Sequence, residues 1–453
     1  MEDRLEFGSD GSTTPTHWYN IVADLPERPP PARDPRTHQE ASPGNAASVM
    51  AEALLAQDAA TDRWIEIPDD VRRVYQHWRP SPLYRARRLE RELGTPARIY
   101  YKYEGYNPTG SHKTNTAVPQ AYYSAQEGTR RLVTDTGAGQ WGAALAFACA
   151  QYDVACEVFW TGSSYDQKPY RRVLMEAFGA RVHRSPSDAT ESGRKATANG
   201  DSQGSIGLAV SEAIEVAATN ADTCYALGSG VGFVLLHQTV IGQEALAQFA
   251  LAEDYPDVVI SCVGGGSSLG GLGFPFLAQN IARGRETRVL AVEPTACPTL
   301  TRGRYAWDHV DQEGYTPLVK MYTLGHKFVP QPIHAGGLRY HGVSPLLSYV
   351  RHLGMVDAVA RPQTECFAAG LRFARTEGIL SAPESAHAIA AAIDEAERCT
   401  QTGAEKAILM LVTGHGQLDL AAYDSYLAGN LVDAELTDEQ LASFLARLPA
   451  VRD

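Results

Sequence analysis

The sequence has no excess of positive charge. Its 40 Lys and Arg residues are outnumbered by 53 Asp and Glu residues, which gives a formal net charge of −13. Proteins that bind nucleic acid need a basic surface, so the composition predicts neither a nucleic-acid partner nor an anionic membrane surface. A run of about 18 apolar residues, the length that a membrane-spanning helix needs, does not occur in the sequence. The acidic start, Met1-Glu2-Asp3, is not typical of a signal peptide.

Closely spaced cysteine pairs are also missing. The seven cysteines are scattered, none of them belongs to a Cys-x-x-Cys motif, and most stand in apolar segments. This distribution indicates reduced, buried thiols in a cytoplasmic protein rather than disulfides. No residues are predicted to bind a metal. The sequence also contains no internal repeat.

The chain is, however, long enough to form more than one hydrophobic core. A length of 453 residues, with 44% hydrophobic and 21% charged residues, is typical of a globular protein with two lobes and further segments. Residues 1–60 are polar and rich in proline, which predicts an N-terminal extension that packs on the body. We expect an N-terminal lobe over 61–250 and a C-terminal lobe over 251–453.

Short β-rich segments alternate with helical ones through most of the chain. This alternation predicts an α/β fold with mainly parallel sheets. The predicted strands are 98–103, 131–135, 155–160, 181–183, 258–263, 288–293 and 407–412. The predicted helices are 84–93, 143–152, 168–178, 208–218, 241–252 and a helix that follows 268 and ends at Arg283.

The segment Asn107–Asn115 brings turn-forming residues, hydroxyl groups, a histidine and a lysine together between a predicted strand and a predicted helix. The ordinary interpretation is a loop in which Ser111 caps the helix. The alternative is that Lys113 stands at the helix start, where the helix dipole lowers its pKa and suits it to form a Schiff base. Taken alone, the segment favours the loop.

Two glycine-rich segments each follow an apolar strand and precede a helix. Gly264–Ser268 predicts a cradle of backbone N–H groups for one phosphate, and its lack of a Lys-Ser/Thr pair argues against a triphosphate. Its alternative is a close-packed turn. Gly137–Gly142 matches the dinucleotide pattern Gly-x-Gly-x-x-Gly, but Glu157, the acid that would follow, falls inside the next strand. This second segment would instead bind a substrate carboxylate.

Single side chains near strand ends are further candidates. Asp135 ends a predicted strand and is either an acid–base residue or an exposed or capping side chain. Thr413 follows the buried strand that ends at Val412, where α/β proteins bind ligands. For Glu377 and His415, the residues alone favour structural roles.

Together these segments resemble the β chain of tryptophan synthase, a fold-type II pyridoxal-phosphate (PLP) enzyme with two lobes and PLP at the lobe interface. The resemblance is greatest to the longer second variety of this family, which carries an N-terminal extension. It runs from roughly Trp18 to Tyr426 and is most specific at Gly110–Asn115, Thr136–Gly142, Gly264–Ser268 and Glu377–His387.

The resemblance implies roles for these residues. Lys113 would hold PLP as a Schiff base and move the Cα proton, and Thr413 would sit at the pyridine nitrogen. Glu377 and Asn115 would lie near the cofactor ring. The cofactor phosphate would be bound by His112, Gly264, Gly265, Gly266, Ser267 and Ser268. The substrate carboxylate would be bound by Thr136, Gly137, Ala138, Gly139, Gln140 and Trp141. A monovalent cation is left open as a second cofactor.

Several departures from the family pattern affect the expected chemistry. The family has glutamate at Asp135, where it serves as the acid–base group at the β-carbon. Aspartate is one methylene shorter, and a displacement of about 1 Å can cost on the order of 100-fold in rate. Ser268 replaces the asparagine that is usual in the phosphate loop of the family, and Trp78 stands where the family usually has glycine. The segment Gly336–His341, by contrast, resembles the longer variety, whose arginine replaces the aspartate of the ordinary β chain. This arginine, Arg339, would meet a substrate carboxylate or a phosphorylated leaving group.

The expected activity is therefore that of a PLP-dependent lyase of amino-acid biosynthesis. It would perform β-replacement on L-serine, or on an activated serine such as O-phosphoserine, through an aminoacrylate, and form tryptophan or a related non-standard amino acid. The alternatives are a serine or threonine dehydratase, a threonine-utilising lyase or synthase, a catalytically silent PLP-binding regulator and, more remotely, a nicotinamide dehydrogenase. A homodimer is expected, and the need for an α-type partner chain is left open.

Overall fold

The computed structural model describes residues 6–8, 13–41, 49–201 and 203–451. The strands are β1 Glu6–Phe7, β2 His17–Tyr19, β3 Trp64–Glu66, β4 Leu83–Arg85, β5 Arg98–Tyr103, β6 Arg131–Thr136, β7 Ala155–Thr161, β8 Arg181–Ser185, β9 Thr223–Tyr225, β10 Val258–Cys262, β11 Arg288–Pro294, β12 Arg304–His309, β13 Leu318–Thr323, β14 Asp357–Arg361 and β15 Ala407–Val412.

The helices fill the segments between these strands. They are α1 Glu52–Ala59, α2 Asp69–Tyr75, α3 Arg87–Leu93, α4 Thr114–Gln126, α5 Gln140–Gln151, α6 Gly162–Gln167, α7 Pro169–Ala177, α8 Glu191–Ala198, α9 Ile206–Thr219, α10 Gly232–Gln238, α11 Val240–Leu251, α12 Ser267–Arg283, α13 Thr299–Arg302, α14 Pro345–His352, α15 Gln363–Glu377, α16 Pro383–Thr402, α17 Leu420–Leu427 and α18 Asp438–Leu445. Short 3-10 helices occupy Ile21–Asp24 and Gly336–Leu338.

Two sheets form the framework of the described residues. The smaller has the order β8-β7-β6-β9, and all its neighbouring strands are parallel. The larger has the order β1-β4-β5-β15-β10-β11-β14, with parallel pairing from β5 to β14 and antiparallel pairing of β1 and β4 at one edge. The predicted α/β fold with mainly parallel sheets is confirmed.

The central strands are predicted well because their sequences are apolar throughout. Every residue of β10 and of β15 is buried, as expected for parallel strands that are covered on both faces. Both strands were predicted to within one residue. The segment 84–93 was predicted as one helix, but Leu83–Arg85 pairs with β5 and the helix begins only at Arg87. The antiparallel hairpin β12–β13 was not predicted.

The chain passes from the larger sheet to the smaller one and back. Strand β5 pairs with β15, so residues 98–103 lie beside residues 407–412. The chain then builds β6 to β9 of the smaller sheet and returns to the larger one at β10. A lobe boundary at 250, as predicted, would separate β4 and β5 from the sheet in which they lie. This pairing joins distant parts of the chain, and local sequence does not reveal it.

The N-terminal extension is attached to the body by backbone and side-chain contacts. The Trp18 ring lies 4.5 Å from the His237 ring between centroids, and the backbone N–H of Tyr19 donates to Thr239 Oγ1 at 2.9 Å. Further along, Arg33 and Leu318 exchange backbone hydrogen bonds of 2.8 Å. In the ranges that the structure describes, no helix is long and apolar enough to cross a membrane.

Candidate active site

A cavity of about 1090 Å³ lies at the carboxyl ends of β6 and β10. Ligands of parallel α/β proteins bind at this end of the strands. Lys113, Asp135, Gly265 and Arg339, which come from four distant parts of the sequence, all line the cavity. Within the described ranges, no group of three or more His, Cys, Asp or Glu residues is arranged to hold a metal ion.

Lys113 immediately precedes helix α4, as one of the two interpretations of the sequence predicted. The segment before it is shaped by Gly110, whose φ is +73° and whose position leaves no room for a Cβ beside the His415 ring. The backbone N–H of His112 donates to Thr413 O at 2.9 Å, which fastens the segment to the end of β15. Ser111 does not cap the helix, because α4 begins only at Thr114.

A hydrogen bond fixes the position of the Lys113 amine, and burial lowers its pKa toward neutral. Its Nζ donates to the backbone oxygen of Gly228 at 2.9 Å. Desolvation lowers the pKa of Lys113 to about 8, against the opposing charges of Asp135 and Glu384. The predicted direction was right, but burial is the main cause rather than the helix dipole. The neutral amine is the form that attacks a carbonyl group, and a lowered pKa increases the fraction of Lys113 in that form near neutral pH.

The segment Gly264–Ser268, which is predicted to be an anion cradle, lies at the start of the 17-residue helix α12. Gly266 has a φ of +106°, a Cβ on Gly264 would overlap the backbone oxygen of Gly337, and one on Gly265 would overlap Ser229 Oγ. Glycine is therefore required here. It leaves the backbone N–H groups at the positive end of the helix accessible to an anion.

His112 lies beside this cradle. Its Nε2 is 3.2 Å from Ser267 Oγ, and its buried Nδ1 has no hydrogen-bond partner among the residues described. Desolvation and the neighbouring charge of Lys113 hold the pKa of His112 well below its usual range, so the ring is neutral. The backbone N–H groups of the cradle, the Ser267 hydroxyl and the neutral His112 ring are all hydrogen-bond donors, and this set fits the phosphate of PLP. Ser268 Oγ instead donates to Cys262 O at 2.6 Å, which leaves its backbone N–H for the predicted role.

Thr413 lies directly after β15 and beside the lysine segment, since its backbone oxygen accepts the His112 N–H at 2.9 Å. Its Oγ1 lies 2.8 Å from Ser385 Oγ and 3.8 Å from Cys262 Sγ. These are neutral groups, and they fit a pyridine nitrogen that does not carry a permanent proton. Thr413 was predicted for this place, whereas Ser385 was not singled out.

Glu377 does not belong to this group of residues. Its carboxylate accepts the backbone N–H of Leu89 at 2.7 Å, at the end of α15 and against helix α3, and it does not line the cavity. The role predicted for it near the cofactor ring is not supported. Glu384 does not line the cavity either, but it fits that role better because its carboxylate accepts from two residues that do, Gln140 Nε2 at 3.1 Å and the backbone N–H of Gly337 at 2.9 Å. The available signal was an acid in the first turn of a helix that begins with proline.

The side chain of Asn115 anchors the start of helix α4 through three hydrogen bonds to other side chains. Its Nδ2 donates to Glu104 Oε2 at 2.9 Å and to Gln238 Oε1 at 3.0 Å, and its Oδ1 accepts from Trp78 Nε1 at 3.3 Å. Both amide hydrogens are thus used within the protein. A direct contact between this side chain and the cofactor, as predicted, is not supported by this arrangement.

The segment predicted to bind the substrate carboxylate lies on the cavity wall. Thr136, Gly137, Ala138, Gln140 and Trp141 line the cavity. Its backbone N–H groups stand at the start of helix α5, which begins at Gln140 and favours an anion. Gly139 has a φ of +90° and packs against the Trp160 ring.

The dinucleotide interpretation of the same segment is not supported. Glu157, the acid that it would require, lies within β7 and contacts other side chains. Its carboxylate binds His183 Nε2 at 2.8 Å and Arg131 Nη1 at 3.2 Å. It is therefore not available to bind a ribose.

Asp135 and Arg339 are two further charged residues that line the cavity. Desolvation raises the pKa of Asp135 to about 6, against a hydrogen bond from Tyr225 and the charge of Lys113. Arg339 donates to Ser163 Oγ at 3.2 Å and to Pro330 O at 3.0 Å. In the part of the chain that the structure describes, no carboxylate pairs with this guanidinium and its Nε has no partner.

Comparison with known proteins agrees with this geometry. Residues 74–414 match the profile of the family described as pyridoxal-phosphate dependent enzymes. The chain is 53% identical over 424 residues to tryptophan synthase beta chain 2 of Methanosarcina acetivorans, covering 93% of this chain and 96% of that protein. It is 55% identical over 423 residues to the protein of the same name from Aquifex aeolicus, covering 92% and 98%.

Two solved structures share the fold at low sequence identity. The L-serine ammonia-lyase of Rhizomucor miehei has a TM-score of 0.57 at 19% identity, covering 78% of this chain and 98% of that one. The processed threonine deaminase isoform 2 of Solanum lycopersicum has a TM-score of 0.58 at 18% identity, covering 79% and 91%. These structures share only the fold; the family match over residues 74–414 and the relatives at 53% and 55% identity show that the chain belongs to the tryptophan synthase beta chain family of PLP-dependent enzymes.

Proposed function

We propose that the protein catalyses β-replacement on L-serine, or on an activated serine such as O-phosphoserine, and joins it to a nucleophile. The product is tryptophan or a related non-standard amino acid. The observation that carries the proposal is the placement of Lys113 and Asp135 on the wall of one cavity. The relatives named tryptophan synthase beta chain 2 support the same reaction class.

Within this function, the residues of the chain have separate tasks. Lys113 would hold PLP, and its released amine would take up and return the proton at Cα. The backbone N–H groups at the start of α5 would fix the substrate carboxylate, and those of Gly264–Ser268 would fix the cofactor phosphate. When bound, PLP supplies the electron sink for bond breaking at Cα and Cβ. The neutral hydroxyl of Thr413 keeps that sink moderate, which suits loss and addition of a group at Cβ.

Arg339 supports a negatively charged group on the substrate. A desolvated guanidinium without a carboxylate partner pairs favourably with a carboxylate or a phosphate. Desolvation in the cavity lowers the pKa of Arg339, which shows how little protein charge compensates it. We therefore include O-phosphoserine among the substrates, with Arg339 near the leaving phosphate.

Asp135 would act at Cβ, where it accepts the proton that the nucleophile loses. Its shorter side chain supports a nucleophile other than indole, or a site that is reshaped around indole. Mass spectrometry of the products tests this proposal. The purified protein is loaded with PLP and incubated with serine or O-phosphoserine and a panel of nucleophiles that includes indole.

The expected result is an adduct that the Lys113→Ala variant does not form, together with loss of the visible PLP absorption in that variant. Formation of an oxo acid from serine or threonine without any adduct would instead identify a dehydratase. If neither amino acid is consumed while PLP is bound, the protein is a silent PLP-binding protein.

We also propose a cytoplasmic homodimer. Exposed apolar side chains that a second copy of the chain would cover include Tyr106, which precedes the lysine segment, Tyr170 and Val173 on α7, and Leu420 on α17. The buried salt bridges of Asp419 with Lys168 and Arg171 connect α7 to the start of α17. Light scattering of the purified protein tests the mass, and a monomer would contradict this assembly. Repeating the assay with an α-type chain tests the need for that partner.

A further inference from the structure

Tyr225 lies on strand β9, beside the strand that carries Asp135. The strand register pairs Tyr225 with Val133, so the two side chains share one face of the sheet, and Asp135 shares that face two residues further on. At about 3.3 Å per residue, Asp135 lies about 6.6 Å beyond Tyr225 along the strand, a distance that the tyrosine side chain can span. The Tyr225 hydroxyl donates to Asp135 Oδ1 at 2.6 Å.

The tyrosine is held firmly in this position. Only 4% of Tyr225 is exposed, and its ring packs with Val133, Phe159 and Val210. The backbone N–H of Ala226 donates to Val133 O at 3.0 Å, and Thr134 Oγ1 donates to Ala226 O at 2.6 Å. These bonds fasten the end of β9 to β6 at the residue that follows Tyr225. The hydroxyl therefore approaches Asp135 from a fixed direction.

Three titratable groups face the Asp135 carboxylate, and they differ in what they bind. Lys113 Nζ donates to Gly228 O, and the Tyr340 hydroxyl donates to Val310 O at 2.9 Å. Among the described residues, Tyr225 is the side chain that donates a hydrogen bond to this carboxylate. Burial and the charge of Asp135 raise the pKa of Tyr225 well above its usual range, so the phenol remains a donor.

We propose that Tyr225 is the positioning residue of the acid–base step at Cβ. Its hydroxyl fixes Oδ1 of Asp135, so that Oδ2 accepts the proton that the nucleophile loses as its bond to Cβ forms. A shorter acid side chain reaches less far by itself, and the tyrosine determines where its carboxylate stands. This inference rests on the proposed function, because it takes Asp135 to act at Cβ.

An infrared titration of the PLP-loaded protein tests the hydrogen bond without any turnover. The carbonyl stretching band of protonated Asp135 is identified by its loss in Asp135→Asn. A hydrogen bond to the charged form lowers a carboxyl pKa, so Tyr225→Phe should raise the midpoint of this band by about one pH unit. Tyr340→Phe removes another hydroxyl near Asp135, one that is bound to Val310 O, and should leave the midpoint in place.

Kinetics of adduct formation tests the positioning. Tyr225→Phe should lower kcat for adduct formation by about 10- to 100-fold, with the PLP absorption and the KM of the amino acid unchanged. The acid side of its pH profile should move upward with the infrared midpoint. If Tyr225→Phe does not fold, 3-fluorotyrosine placed at 225, a stronger donor, should lower the midpoint.

The outcomes separate the inference from the function on which it rests. An unchanged midpoint in the Tyr225 variant overturns the hydrogen bond, and a shifted midpoint with unchanged kcat overturns the positioning role. In both cases Asp135 can still be the acid–base residue. If Asp135→Asn forms the adduct at the wild-type rate, the proposed role of Asp135 itself fails.

Discussion

At the scale of single residues, the proposed function makes the length of the Asp135 side chain a determinant of which nucleophile reacts at Cβ. Aspartate places its carboxylate one methylene closer to β6 than glutamate would. If this distance is what disfavours indole, Asp135→Glu should raise the rate of tryptophan formation from serine and indole by about 10- to 100-fold. Asp135→Asn is the control, since it keeps the shape and removes the charge. An unchanged or lower rate in Asp135→Glu would contradict this explanation.

The pKa of Asp135 also predicts how the reaction depends on pH. Desolvation raises this pKa to about 6, and the group must be deprotonated to accept a proton at Cβ. The rate of adduct formation should therefore fall as the pH decreases through about 6. A pH profile of kcat for the wild type and for Asp135→Asn measures this, and the variant should lack the acid limb. A wild-type rate that stays constant down to pH 5 would exclude Asp135 as the base.

The sequence predicted those site residues that stand in a recognisable motif and missed those that do not. Lys113 and Gly265 were placed in the cavity because their segments carry a recognisable chemical pattern next to a strand end. Glu377 was preferred to Glu384 because the one local signal that distinguishes Glu384, its place in the first turn of a helix that begins with proline, marks a helix start rather than a ligand. The contacts of Glu384 with Gln140 and Gly337 exist only in the folded chain.

At the scale of elements, the start of helix α12 is where we propose that the phosphate of PLP binds. A Cβ at Gly264 would overlap the backbone oxygen of Gly337, which cannot move as a side chain can. Gly264→Ala should therefore weaken PLP binding by at least about 10-fold, as measured by titrating the PLP-free protein and following absorption. Gly284→Ala, at the other end of the same helix, meets no neighbouring atom within 4 Å. It has a φ of +62°, so it should affect stability but not PLP affinity.

A buried ion network joins the β4–β5 edge of the larger sheet to helix α11. Glu244 Oε2 lies 2.8 Å from Lys102 Nζ and 3.2 Å from Arg79 Nη1, and all three side chains are fully buried. Glu244→Gln leaves buried positive charge uncompensated and should lower the free energy of unfolding by about 3–5 kcal/mol. Asp69→Asn, which breaks the exposed pair with Arg72, should cost less than about 1 kcal/mol.

Denaturant unfolding of the PLP-loaded protein measures both variants under the same conditions. Equal losses in the two variants would show that the buried network does not stabilise the fold. The comparison is informative because both substitutions remove one negative charge and keep a similar side-chain shape.

Which elements the sequence predicted follows from how much local information each one carries. Strands β10 and β15 are continuous apolar segments, and α12 begins after a glycine cluster, so all three were placed almost without error. Strand β4 has only three residues and exists because β5 pairs with it. Its formation depends on a neighbour, and this is why the segment was taken for the start of a helix.

At the scale of the whole molecule, the site forms where the chain crosses between its two sheets. Residues 107–115 follow β5 of the larger sheet, Asp135 ends β6 of the smaller one, and Gly264–Ser268 follows the return to the larger sheet at β10. Pattern and spacing found each segment separately. Only the family resemblance predicted that they meet, because pairing between strands hundreds of residues apart leaves no local trace.

The N-terminal extension completes the wall of the cavity. Arg28, Pro29, Pro30, Pro31 and Ala32 line it, and the backbone bonds between Arg33 and Leu318 hold this stretch against the body. Closing an active site against water protects reactive species from hydrolysis. The extension should therefore favour transfer to the nucleophile over release of an oxo acid.

Replacing residues 28–32 by a Gly-Ser sequence of equal length tests this role of the extension. The expected result is a larger share of oxo acid relative to adduct, by several-fold, with PLP binding unchanged. Replacing the exposed residues Arg36, Thr37 and His38 in the same way is the matched control, since none of the three lines the cavity. Mass spectrometry of both products gives the ratio. The same ratio in both variants would mean that the extension contributes no barrier to water, and that the two sheets alone keep the cavity closed.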